Sequence, residues 1–380
     1  LLRIFKTACL ISIILFYTNL CAQAHILSYE LIGALSPESI ARFHLISDEI
    51  SLIADVKILT SQHNKTTPTL FIFDAHDNDL AGFINQRGSN VAMIDFLKIP
   101  LRQRQVFLKD IVVKLKEELK IHTTIGVGHR GVGEIFYRER NLFDGLLIQD
   151  VSIAAANSSL AHIIHFWGDE AYWRMNVQRP VVKSAKNYRE YYIAGVTSAD
   201  LMARCLPVSV DQDIAPARRA LLVIMEEWIK GVMPPVSRAP QIDDLIVTRD
   251  MTWPRIPSLP KPPQDLRLAP KINKDGNSEG GVQLPDHALP IATFIGFDGG
   301  LAHINETTAG CEKEGVLPFA KNKIERELTQ DPRLSLVERY GSRAYFVATM
   351  RVVADKLVKE RFLLTQDADA YVARAKRAPF

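Results

Sequence analysis

The chain has 380 residues, 47% of them hydrophobic and 23% charged, and a formal charge of +3 that falls to +1 once Arg3 and Lys6 are set aside with the amino-terminal segment. That length and apolar content suffice for one large globular domain or two small ones with a real core. The near balance of charge, with no basic tail or stripe, argues against nucleic acid as a partner.

Arg3 and Lys6, an apolar run from Ala8 to Tyr17, and then Ala22-Gln23-Ala24 follow the order of a signal peptide cleaved before His25. The expectation is an exported protein, secreted or periplasmic, with residues 25–380 as a single mature domain. Past the leader no apolar run approaches the length of a membrane span. Cys9 and Cys21 leave with the leader, so Cys205 and Cys311 remain as a pair. In an oxidising compartment they are expected to form a disulfide.

Thr67 to Asp74 and Asn90 to Phe96 are short apolar runs bounded by breakers, which suits buried parallel strands. From Leu101 to Leu119 the spacing turns helical, with Phe107, Ile111, Leu115 and Leu119 on one face. His122 to Ile125 reads as a strand, Gly126-Val127-Gly128-His129-Arg130-Gly131 as a tight turn, and Val132 to Arg138 as a helix. Leu142 to Asp150 follows as another strand. Strand, helix, strand, helix, strand is the signature of a three-layer α/β fold.

His162 to Trp173 reads as a helical or loop segment and Tyr191 to Ala194 as one more strand. Pro216 opens a helix that runs to Lys230, with Asp213 as a possible cap and Gly231 as its stop. Nine prolines between Pro234 and Pro270 preclude regular structure, and the apolar residues among them predict ordered coil wrapped across the domain. Lys274 to Asn277 is a turn, and Leu289 to Ile295 a hairpin or edge strand. A long amphipathic helix, Arg343 to about Leu364, closes the pattern.

Gly126, Gly128 and Gly131 also spell a dinucleotide-binding fingerprint, with Asp150 placed where such a site needs an acid for the ribose. Against that reading, the motif stands behind two earlier strands and its helix is interrupted by Gly133. The ligand-rich loop Asp74-Ala75-His76-Asp77-Asn78-Asp79 is one crowded segment, and a hard-metal site draws on several. No cofactor and no metal is therefore expected.

The carboxyl half carries an ordered series of motifs. They are Arg219-Ala220-Leu221-Leu222 with Trp228, Pro234-Pro235-Val236-Ser237-Arg238, Asp275-Gly276-Asn277, Leu317-Pro318-Phe319-Ala320, Asp331-Pro332-Arg333 and Glu338-Arg339-Tyr340. Over residues 217–368 this series resembles a bacterial family of exported α/β-hydrolase domain proteins; over 25–216 the likeness is weak. The resemblance implies an α/β-hydrolase-like three-layer sandwich, a mostly parallel sheet followed by a proline-rich, helix-capped carboxyl-terminal part (217–380). It also implies ester hydrolysis by a serine, a histidine and an acid, the serine standing on a strained strand-to-helix elbow.

Carried over by position, the family's serine falls on Gly128, its acid on Ala171 with Glu170 one place off, and its histidine on Ser198; His129 lies beside the elbow. A triad acts as a unit, so three losses predict a chain freed from hydrolysis and acting by binding a small molecule or a protein. Two alternatives stay open. One is a working esterase with a relocated nucleophile, such as Ser158, Ser159 or Ser198, and the other a dinucleotide-binding protein using the glycine turn.

Overall fold

Phe43 and Leu45 on one strand and Val56 and Ile58 on the next are sealed from water, while Arg42 and Asp55 pair in solvent at 2.8 Å. This period of two is what a half-buried antiparallel strand requires. A computed structural model describes residues 25–32, 38–46, 51–61, 69–152, 160–169, 171, 186–196, 214–257, 261–262, 264–294 and 316–380. They belong to two compact units, one of residues up to Val127 with Ile135–Asp144, the other of Gly128–Glu134 with Gly145–Phe380.

In the first unit β1 (His25–Ile32), β2 (Glu38–Ile46) and β3 (Ser51–Leu59) form an antiparallel meander. Then come β4 (Thr69–Asp74), α1 (Asn78–Gln86), β5 (Asn90–Ile94), α2 (Arg104–Glu118) and β6 (Thr123–His129). The strand order is β1-β2-β3-β5-β4-β6, with β4 parallel to both β5 and β6. Helix α2 buries Phe107, Leu108, Ile111, Val112 and Leu115, each contributing about 1.5–3 kcal/mol against exposure. Asp144 Oδ2 accepts the Thr124 backbone N–H at 2.8 Å, tying the return of the chain to β6.

After α3 (Arg130–Arg138), the second unit holds β7 (Gly145–Gln149), β8 (His162–Gly168) and β9 (Tyr188–Ala194), consecutive and parallel. Every residue of β7 is buried, as a strand covered on both faces must be. Helix α4 (Ala215–Ile229) packs so close that a Cβ on Gly145 would lie 2.7 Å from Met225 Sδ. Beyond it, β10 (Leu245–Val247) pairs with β11 (Leu268–Pro270), and β12 (Val282–Gln283) adds to β9 in parallel. Past α5 (Pro285–Ala288), β13 (Ala292–Phe294) pairs with β14 (Val316–Pro318). Helices α6 (Lys323–Leu328), α7 (Leu336–Tyr340), α8 (Arg343–Lys359) and α9 (Thr365–Ala375) follow. Parallel strands with helices on them make the α/β-hydrolase architecture that the sequence predicts.

Several elements differ from expectation. His162 to Gly168, expected as helix or loop, is strand β8, because its apolar residues, interrupted only by the buried His165, pair between β7 and β9. The final helix, expected to reach about Leu364, stops at Lys359, and α9 follows it as a helix not expected from sequence; between them Arg361 takes a left-handed backbone (φ 68°) and its side chain bonds Glu227 and the Met233 carbonyl. The glycine turn is shorter than its glycines suggest, since β6 runs on through Gly126 and Gly128 to His129. The proline-rich region, expected to hold no regular structure, carries the β10–β11 pair between its prolines, and its start is bonded to β9: Tyr191 Oη donates to the Pro235 carbonyl at 2.7 Å, and the Tyr192 N–H to Arg238 O at 2.9 Å. In the acidic loop, Asp74 Oδ1 takes both the N–H and the Nδ1 of His76, the latter at 2.6 Å.

Candidate functional site

Strand β6 ends at His129 and helix α3 begins at Arg130, with no residue between them. The direction changes at Arg130, which holds φ 47°. A left-handed backbone on a residue with a Cβ costs about 1–2 kcal/mol and is kept where the surroundings force it. Here the forcing contact is glycine on glycine. A Cβ on Gly133 would meet Gly128 O at 3.0 Å and Val151 Cγ2 at 2.6 Å, so the first turn of α3 lies against the end of β6 only because Gly133 has no side chain. The apex of the elbow is therefore Arg130. Gly128, expected there, sits two residues earlier inside the strand, because the strand's extended backbone continues past it.

Strand β7 is followed by Asp150, also left-handed (φ 52°) and 4% exposed. Its Oδ1 accepts the Gly168 N–H at 3.0 Å and its Oδ2 the Gln149 side-chain amide at 3.2 Å. The same Oδ2 lies 3.4 Å from His129 Nε2, within ion-pair range but without hydrogen-bond geometry, and that nitrogen is sealed from solvent while a third of the His129 side chain stays exposed.

Strand β8 is followed by Asp169, which is wholly buried. Its carboxyl accepts the Tyr192 hydroxyl, the Gly195 N–H at 2.9 Å and the Ser278 hydroxyl at 2.9 Å. Burial pushes it up to about 7, against the opposing pull of the Ser278 and Gly195 bonds. The Ser278 carbonyl faces His287 Nε2 at 2.8 Å, and burial drives that imidazole down to about 4. Asp169 thus holds the end of β9 to the segment before β12.

Of the residues singled out from sequence, His129 is brought to a partner, Asp150. Ala171 is 1% exposed and packs with Trp167, Tyr192, Ala194 and Leu245. Glu170, Ser198, Ser158, Ser159, Cys205 and Cys311 lie outside the described residues. As for the dinucleotide fingerprint, Gly126 and Gly128 are strand residues, with Gly126 in register with Ile72, so they form no phosphate loop; Asp150 turns to His129 and Gly168. Among the described residues no three His, Cys, Asp or Glu side chains gather as a metal site, and no helix is long and apolar enough to cross a membrane. Sequence reasoning missed Arg130, Asp169 and Ser278, and used Asp150 only for a ribose. The available signal was an aspartate closing each of two apolar runs, since ligands of open α/β sheets gather at the carboxyl ends of strands.

The family described as "Alpha/beta hydrolase domain" matches residues 165–373, more than half of the chain. No curated protein matches. Among solved structures, the chain is similar to the esterase Est22 with p-nitrophenol at 14% identity, covering 52% of this chain and 82% of that one, with a TM-score of 0.36. An alpha-beta serine hydrolase homologue from Coxiella burnetii gives 10% identity over 44% and 88%, TM-score 0.31. Lipase A of Candida antarctica in its closed state gives 9% over 34% and 43%, TM-score 0.28.

Proposed function

Since the chain belongs to the α/β-hydrolase domain family, we propose that it is an exported, degenerate member that binds a ligand of the carboxylic-ester class and forms no acyl-enzyme. The observation that carries this reading is the identity of the elbow residue. In this fold the nucleophile stands on the strained strand-to-helix turn, and here the left-handed residue of that turn is Arg130. A guanidinium stays protonated and has no lone pair to give, so it cannot attack a carbonyl. Placing the elbow at Gly128-His129-Arg130-Gly131-Val132-Gly133 also puts glycines at the two points of closest approach. This moves the vestigial nucleophile from Gly128 to Arg130 and leaves its loss intact.

Asp169, directly after β8, is the acid we assign to the vestigial triad in place of Ala171 or Glu170. It is bound to Tyr192, Gly195 and Ser278, which fits an acid kept for structure after its histidine was lost at Ser198. Export rests on the order of residues 1–24, and a Cys205–Cys311 disulfide on the pairing arithmetic that export leaves. Amino-terminal sequencing of the secreted protein should begin at His25, and its mass should rise by two hydrogens on reduction. The decisive experiment is a fluorophosphonate probe, which labels activated serines. The protein should remain unmodified; labelling mapped to any serine overturns this reading.

A further inference from the structure

We draw no further inference here: the strongest candidate, the cleft of about 180 Å³ between α4 and the corner where α8 gives way to α9, is lined mostly by apolar side chains and by the Glu227–Arg361 ion pair, whose two charges already answer each other, and nothing in the structure shows what covers it.

Discussion

Gly133 stands where any side chain would strike Gly128: a Cβ there would come within 3.0 Å of Gly128 O. Helix α3 therefore starts at the very end of β6, and both Arg130 and His129 are placed by that contact. Gly133→Ala should destabilise the protein by about 1–3 kcal/mol, the usual cost of overpacking a closed site. Gly131, with nothing within 4 Å of its virtual Cβ, is the control. Gly131→Ala should be neutral or stabilise by up to about 1 kcal/mol, because alanine is the better helix former. Thermal or urea unfolding of both variants checks the pair.

Restoring a hydroxyl at the elbow should not restore an acyl-enzyme. Arg130→Ser supplies a hydroxyl, but on the degenerate reading proposed above the base position carries Ser198 in place of a histidine. Fluorophosphonate labelling of Arg130→Ser should stay at background, and the double variant with Ser198→His is the first in which it should rise. Strong labelling of the single variant would show that a base is already in place.

Asp169 and His287 meet through Ser278, and burial shifts them in opposite senses, to about 7 and to about 4. The folded carboxyl holds its proton where the unfolded one has released it, so its contribution is present below about 4 and is lost as pH rises to about 7. The folded imidazole refuses a proton that the unfolded one takes at about 6.5, so its contribution is present above that value and is lost as pH falls through about 4. Between about 4 and 6.5 the two slopes oppose each other. Stability of the parent should therefore be nearly flat across that window. Asp169→Asn should make it rise with pH, and His287→Gln should make it fall; urea titrations at three pH values measure the slopes.

Arg333 is 4% exposed and its guanidinium is fully occupied, by both oxygens of Asp331, Thr293 Oγ1 at 2.8 Å, Leu317 O at 2.9 Å and Pro318 O at 3.1 Å. It binds the edge of the β13–β14 pair and stacks on Phe319. Arg333→Ala strands Asp331 as a buried charge and should cost about 3–5 kcal/mol. Arg333→Lys should recover little, since an ammonium cannot present the planar fork. Equal stability of Lys and Arg at this position, measured by urea unfolding, would refute the role of the fork.

Much of the fold is written in local periodicity. The runs Leu70–Phe73, Val91–Ile94 and Leu146–Ile148 are continuous and apolar because both faces of a parallel strand are covered, and all are buried in the structure. Pro216 near the start of α4 and Gly231 (φ 93°) after its end mark that helix by conformations other residues adopt poorly. The β1–β3 meander was not read from sequence, because the alternation of Ala41, Phe43 and Leu45 is a weaker signal than an unbroken apolar run. Strand β8 was not legible, since a short apolar run reads equally as buried helix, and only pairing with β7 and β9 decides it.

The candidate site divides along the same line. Sequence by itself established an elbow without a serine, because no hydroxyl or thiol stands anywhere from Gly126 to Gly133. It also placed His129 beside that elbow. What it could not fix was the residue at the turn's apex, since that is decided by where the extended backbone stops, and the stop is set by Gly133 packing on Gly128 and Val151. Nor could it bring Asp150 to His129, or Asp169 to Ser278. These contacts join residues 21 and 109 positions apart, and such distances are closed only by parallel strands that end at a common edge.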